Sequence, residues 1–271
     1  MNTTRIRHLL PLLLILGSNV VQSQVSVIGE LSQDREAKPG ETYTGTIVVK
    51  NDTNEPQEAK VYQTDYLFYS NGTNSYGEPG SHARSNARWI TFGPSYIELP
   101  PQALITIQYS VTVPVRKDSL VGTYWSMLMV EGIAKGSPES SRDPQKKADM
   151  GIMQTIRYGI QIATHIQGTG ERLVEFKNPR VVNSDGGKRT FQVDVENTGT
   201  LGIRPEVSLE LFNEKGVSVG TLSGVRFRIY PGTSVRQLVD LSSVPAGTYK
   251  TMFVVDAGGE EIFGAQYTLR F

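Results

Sequence analysis

The chain has no cysteine among its 271 residues. That absence excludes a disulfide framework, thiolate metal sites, a cysteine nucleophile and a lipid-modified cysteine anchor, so the fold must rest on hydrophobic cores. An excess of charge of one sign is missing too, since 27 basic side chains balance 27 acidic ones. Phosphate binding depends on clustered Lys and Arg, and without a basic stripe nucleic acid is not an expected partner. Histidine is scarce, at three residues, and no two are spaced as His-x-x-x-His. A Gly-x-x-x-x-Gly-Lys phosphate loop is also absent. These gaps point away from catalysis and predict no metal and no cofactor.

Apolar runs are short. The longest, Leu9 to Gly17, falls below the roughly 20 residues needed to cross about 30 Å of hydrocarbon. It follows Arg5 and Arg7 and precedes Val21-Gln22-Ser23, a small-residue form expected before a signal-peptidase cut, so residues 1–23 read as a signal peptide. Removing 23 residues from 271 leaves 248, with 25 basic against 27 acidic side chains. The expected location is the periplasm, the cell surface or the medium, with no membrane span in the mature chain.

What is present is a pattern that occurs twice. A Gly-led polar turn, an alternating β-branched strand and an Asn appear as Pro39-Gly40-Glu41-Thr42 with Ile47 to Asn51, and again as Gly186-Gly187-Lys188-Arg189 with Phe191 to Asn197. Strand signals recur at sandwich spacing and no amphipathic helical period intervenes, which predicts an all-β protein of two immunoglobulin-like sandwiches in tandem. In residues 24–168 the expected strands are Val25–Leu31, Thr42–Lys50, Ala59–Tyr69, Tyr96–Leu99, Leu104–Val113, Gly122–Ile133 and Met150–Ile166, with Tyr76–Ala87 read as a loop. In residues 169–271 they are Leu173–Val182, Arg189–Glu196, Glu206–Phe212, Val217–Leu222, Val225–Tyr230, Ser234–Leu241, Thr248–Asp256 and Ile262–Phe271. Residues 135–149, rich in Gly, Ser, Pro and charge, read as a mobile insertion in the first sandwich. A second recurrence, Gly122-Thr123-Tyr124 and Gly247-Thr248-Tyr249, supports the duplication.

The strand from Met150 is the leading candidate for function. Met150, Ile152, Ile156, Tyr158, Ile160 and Ile162 share one face, with Gln154 the sole polar break, and a strand of this length is able to project past its sheet. An exposed edge templates pairing with another chain, whose groove then takes the alternate side chains. The competing reading is an ordinary inner-facing strand. Other residues invite blander assignments. Trp89 and Trp125 read as core aromatics before a carbohydrate platform, and His82, in a polar loop, as a surface residue, while His165 falls near a strand end. Glu260-Glu261, adjacent and so on opposite faces of a strand, read as turn charges. The sequons at Asn51 and Asn71 matter only in a glycosylating pathway.

The Pro39-Gly40-Glu41 turn, the Ile47–Asn51 strand, Trp89-Ile90-Thr91, Ile105–Pro114 and Gly122-Thr123-Tyr124-Trp125 resemble the immunoglobulin-like domain of periplasmic pilus-assembly chaperones. They are equally similar to the amino-terminal domain of WxL-interacting surface proteins. The chaperone resemblance implies binding of pilin-like subunits by a paired strand, with two basic side chains holding the subunit's terminal carboxylate; by position these are Arg35 and Arg157. The WxL-interacting resemblance implies a surface protein that binds peptidoglycan and a partner protein. The function expected is therefore a non-catalytic, chaperone-like envelope module that binds other proteins by edge-strand pairing, with surface adhesion or peptidoglycan and WxL-protein binding as the alternative.

Overall fold

The computed structural model describes residues 24–115, 120–134, 137, 139–140 and 155–271. Residues 1–23, expected to be a signal peptide, and all of the expected 135–149 insertion except 137, 139 and 140, lie outside the described residues.

Among the described residues the first sandwich holds ten strands: β1 (Val25–Ile28), β2 (Ser32–Ala37), β3 (Thr42–Asn51), β4 (Gln57–Phe68), β5 (Asn74–Gly77), β6 (Ile90–Gly93), β7 (Tyr96–Leu99), β8 (Leu104–Thr112), β9 (Thr123–Ile133) and β10 (Arg157–Ile166). One sheet runs β1-β3-β8-β6 and the other β2-β10-β9-β4-β5, with β7 also on β4. With β1, β3, β8 and β6 facing β4, β9 and β10, this is the strand partition of an immunoglobulin fold. Alternation drives the closure. Ile47 and Val49, Ala59 and Val61, Ile107 and Val111, Leu128 and Val130, and Ile160 and Ile162 point inward from five strands and make one core.

Residues 167–173 lead to the second sandwich, built from β11 (Val174–Asn183), β12 (Arg189–Asn197), β13 (Glu206–Phe212), β14 (Ser218–Ser223), β15 (Ser234–Asp240), β16 (Thr248–Asp256) and β17 (Ile262–Arg270). Its sheets run β11-β12-β15 and β14-β13-β16-β17. Phe191, Val193, Leu209, Leu211, Val239, Phe253 and Val255 fill the space between them.

The repeated Asn is a clasp. Asn51 and Asn197 are both fully buried. Asn51 Nδ2 donates to the Glu55, Leu99 and Pro100 carbonyls at 2.8, 3.1 and 2.9 Å, and its Oδ1 accepts from the Thr53 N–H at 2.9 Å. Asn197 Nδ2 donates to the Leu201 and Ile229 carbonyls at 2.7 and 2.9 Å, and its Oδ1 accepts from the Gly199 N–H at 3.0 Å. The bonds to the residues four and two positions on are the same in both copies. The turn each Asn secures also recurs. Pro101 precedes Gln102 at φ 58° and Pro231 precedes Gly232 at φ 75°, the proline followed by positive φ of a type II turn.

Several expected strands differ in the structure. Val25–Leu31 ends at Gly29, whose φ of 103° breaks the run. The chain then crosses to the opposite sheet as β2, whose polar Ser-Gln-Asp-Arg-Glu-Ala sequence gave no strand signal yet pairs in parallel with β10 from Gln161↔Ser32 to Ile166↔Ala37. The expected loop Tyr76–Ala87 begins inside β5, and its remainder is tied to buried Asp65, which accepts from the Ser81 and His82 N–H groups and the Ser85 hydroxyl. Val225–Tyr230 is not a strand. The buried Gln237 amide exchanges hydrogen bonds with the Val225 N–H and C=O, at 3.1 and 2.8 Å, in place of a ladder. The Met150–Ile166 strand begins, among the described residues, at Arg157; Thr155 and Ile156 precede it without strand pairing, and 150–154 lie outside the described residues.

Candidate functional site

With Leu128 and Val130 of β9 committed to the core, alternation turns Trp125, Met127, Met129 and Glu131 to the outer face of the sheet. The register then sets three rows across β4, β9 and β10: Lys60–Glu131–Arg157, Tyr62–Met129–Gly159 and Thr64–Met127–Gln161. The first row is ionic. Glu131 accepts from Arg157 Nε at 3.0 Å and from the Tyr62 hydroxyl at 2.8 Å, and Lys60 Nζ stands 3.6 Å away. Burial and the Glu131 carboxylate together raise the Tyr62 pKa, so this phenol stays a donor.

The second row contains a gap, because Gly159 has no side chain. A Cβ there would meet Met127 Cε at 2.8 Å and Met129 Sδ at 3.2 Å. The two thioethers fold over the glycine, and Tyr62, Thr64, Tyr76, Met127, Met129, Arg157 and Gly159 enclose a hollow of about 400 Å³. Tyr76, on the rim, is 60 % exposed. Methionine is unbranched and polarisable, and it repacks around different partners at low cost. The hollow therefore offers adaptable apolar contact beside an ion-paired row.

Beyond the third row this face meets the second sandwich. Trp125 stacks on Tyr230 with ring centroids 4.6 Å apart and planes 10° from parallel. Both rings are buried, which places Trp125 in a core, as expected. The Tyr230 hydroxyl donates to Gln161 Oε1 at 2.9 Å, and Arg228 pairs with Asp34 at 2.6 Å. Thr123 donates its N–H to the Thr200 carbonyl at 2.8 Å and accepts from the Gly202 N–H on its hydroxyl at 2.7 Å. Gly122, of the repeated Gly-Thr-Tyr, has φ 75° and approaches so closely that a Cβ would lie 2.0 Å from the Thr200 oxygen. At the tip of the β4–β5 hairpin, Ser70 N–H reaches the Ser234 hydroxyl at 3.0 Å.

Both histidines among the described residues lie near this seam, His82 contrary to the expectation of a surface residue. His82 packs against Trp125 with ring centroids 4.7 Å apart, and burial lowers its pKa. His165 shares a 2.7 Å bond between its Nδ1 and the Thr123 hydroxyl, and burial lowers its pKa as well. Among the described residues no three His, Asp or Glu side chains gather as a metal site.

The candidate binding residues fall in different places. Arg157 lines the hollow. Ile156 is half-buried just before it, and Tyr158 packs against the inner core, as do Ile160 and Ile162. Met150 and Ile152 lie outside the described residues. Arg35 is on β2 opposite Thr164, whereas Arg157 lies seven residues along β10 opposite Glu131. At about 3.3 Å per residue that is roughly 23 Å. The structure does not bring the two arginines together around one carboxylate. Gly159, Met127, Met129, Tyr62 and Tyr76 were not singled out by sequence. The usable signal was Met127 and Met129 alternating with core residues in β9, opposite a glycine in β10.

No family model matches the chain, and no curated protein matches it in sequence. Among solved structures it is similar to the class 5 fimbriae chaperone CfaA, at 12 % identity over 90 % of this chain and 98 % of that one, with a TM-score of 0.46. It is also similar to the YadV chaperone, at 13 % identity over 91 % of this chain and 100 % of that one, TM-score 0.44. The E. coli chaperone DraB matches at 14 % identity over 89 % of this chain and 96 % of that one, TM-score 0.42.

Proposed function

We propose that the protein is a non-catalytic, chaperone-like module of the cell envelope that binds another protein on the β10 side of its first sandwich. The partner lies along β10, with Ile156, Arg157 and Tyr158 at the contact, and sets an apolar side chain into the hollow over Gly159. The carrying observation is that hollow. It is a hollow of mixed, mainly apolar lining, framed by two methionines and two tyrosines on an otherwise strongly paired sheet face, next to the strand that also carries the ion-paired Arg157. Interfaces favour Tyr, Met and Arg in such positions. Arg35, on a separate part of β2, is a second contact for the same partner, not a co-ligand of Arg157. Met150 and Ile152 extend the contact towards the amino end of the same segment.

The test is co-purification from the envelope of the producing cell. Gly159→Asp places a charge in the hollow and Tyr76→Ala removes its exposed rim; each is expected to lose the co-purifying partner while the melting temperature stays close to that of the parent. Ile152→Asp with Ile156→Asp is expected to do the same. Partner recovery unchanged in all three variants refutes the reading. Sedimentation of the intact protein with isolated peptidoglycan, without any protein partner, refutes it in favour of wall binding.

A further inference from the structure

Sheet edges present unpaired N–H and C=O groups and are usually short, charged or interrupted. Among the described residues, most edges here follow that rule. β1, β5, β6 and β7 are four residues each. β2 carries Asp34, Arg35 and Glu36, and β11 shifts register between Lys177 and Arg180, around Pro179. β14 is six residues with a register shift opposite Leu211 and Phe212, and β15 is bordered by the segment tied through Gln237. β17 is different. It pairs with β16 without interruption over nine residues, contains no proline, and carries one charge, Arg270.

Its hydrogen-bonding phase follows from the end of the ladder. Gly247 and Phe271 exchange both backbone bonds, at 2.7 and 3.1 Å, so that pair is of the hydrogen-bonded kind. Antiparallel pairs alternate, so residues 269, 267, 265 and 263 also bond to β16. The N–H and C=O groups of Ile262, Gly264, Gln266, Thr268 and Arg270 therefore point away from the sheet. All five residues are exposed, Ile262 at 64 %.

The geometry points to β17 as a dimerisation edge that pairs with β17 of a second copy of this chain, antiparallel about a two-fold axis at Gln266. The strand is complementary to itself in that register. Ile262 faces Arg270, Gly264 faces Thr268 and Gln266 faces its own copy, so the five outward residues exchange their bonds among themselves. Each lone Arg270 meets the uncharged Ile262, whose exposed side chain lies along the guanidinium stem, and no like charges oppose. The near balance of charge, 27 basic against 27 acidic side chains in the whole chain and 25 against 27 without residues 1–23, adds little net repulsion between copies. A two-fold pairing of this kind closes at two subunits.

Cross-linking and sedimentation test this directly. The chain has no cysteine, so Gln266→Cys supplies a single thiol; the pairing puts the two Cβ atoms about 5 Å apart, within reach of a short bis-thiol-reactive linker. Gln266→Cys is expected to cross-link to dimer far more efficiently than Thr221→Cys on β14. Sedimentation velocity is expected to show a concentration-dependent dimer for the parent chain. Gln266→Lys, which sets two like charges face to face, is expected to weaken that dimer by about tenfold. A parent chain that stays monomeric at its highest soluble concentration, cross-linking at 221 as efficient as at 266, or a dimer unaffected by Gln266→Lys overturns the proposal. Should Gln266→Lys fail to fold, the cross-linking comparison decides alone. Gly159→Asp is expected to leave the dimer intact, which keeps this result separate from the partner-binding test.

Discussion

The contact between Trp125 and Tyr230 makes a measurable prediction about how the two sandwiches unfold. Tyr230 is sealed from solvent, belongs to the second sandwich, and packs with Trp125 and Ala163 of the first, with Leu67 and Phe68 alongside. Truncating a buried aromatic to alanine costs about 3–5 kcal/mol when the cavity does not collapse, of which a well-placed ring pair supplies roughly 0.5–1.5 kcal/mol beyond area. The lost hydroxyl donor to Gln161 adds about 1 kcal/mol. Most of this loss falls on the coupling between sandwiches, because the ring faces the first one. Both tryptophans, Trp89 and Trp125, sit in the first sandwich, so fluorescence follows that unit while far-ultraviolet circular dichroism follows both. In the parent chain the two urea transitions are expected to coincide. In Tyr230→Ala they should separate and the fluorescence midpoint should fall, and in Tyr230→Phe they should remain together with a loss of about 1 kcal/mol. Coincident, unshifted transitions in Tyr230→Ala would refute the claim that this ring joins the two units.

Two further outcomes follow from buried polar groups. Asn197→Ala removes the donor to the Leu201 and Ile229 carbonyls and the acceptor of the Gly199 N–H, which should cost about 2–4 kcal/mol by chemical denaturation, and Asn51→Ala, with more bonds to lose, at least as much. Stability should also fall on acidification below about pH 6.5, the ordinary histidine value. His165 and His82 both have native pKa values lowered by burial, so below that pH the unfolded chain takes up protons that the native chain resists. Asp34 and Glu36 on β2 partly offset the effect at His165, while Arg228 and Arg172 reinforce it. A protonated His165 also turns Nδ1 into a donor towards a Thr123 hydroxyl oxygen that already accepts from Gly202. Unfolding free energies from denaturant titrations between pH 7.5 and 5 should drop by at most about 1.4 kcal/mol per histidine and pH unit, and less in His165→Asn. A flat profile counts against this account.

Much of the fold was legible because strands with one buried face carry a period of two. β3, β12, β13 and β16 alternate cleanly and were placed within a residue or so of their observed limits. β2 was not legible, because Ser32 to Ala37 has no apolar face; it is a strand through backbone pairing with β10 alone. Val225–Tyr230 misled for the opposite reason, since its alternation is real but its backbone partners are a Gln237 amide and one bridge between Ile203 and Ile229. The hollow was not legible because a glycine reads as a gap in a strand, and only the register shows which thioethers close over it. The repeated Asn was visible, while its burial and matching bonds were not.

The parallel pairing of β2 with β10 joins Ser32 to Gln161 across almost the whole length of the first sandwich. Contacts this distant in sequence close late and slow the search for the native state. A nascent chain cannot finish its first sandwich until residues 157–166 are available, however early β1 and β3 pair. Until then one side of β9 is left without its neighbour β10. Truncations ending before residue 157 should therefore populate aggregation-prone intermediates, and the rate-limiting step of refolding should be sensitive to substitutions in β2 and β10 more than to any in the second sandwich.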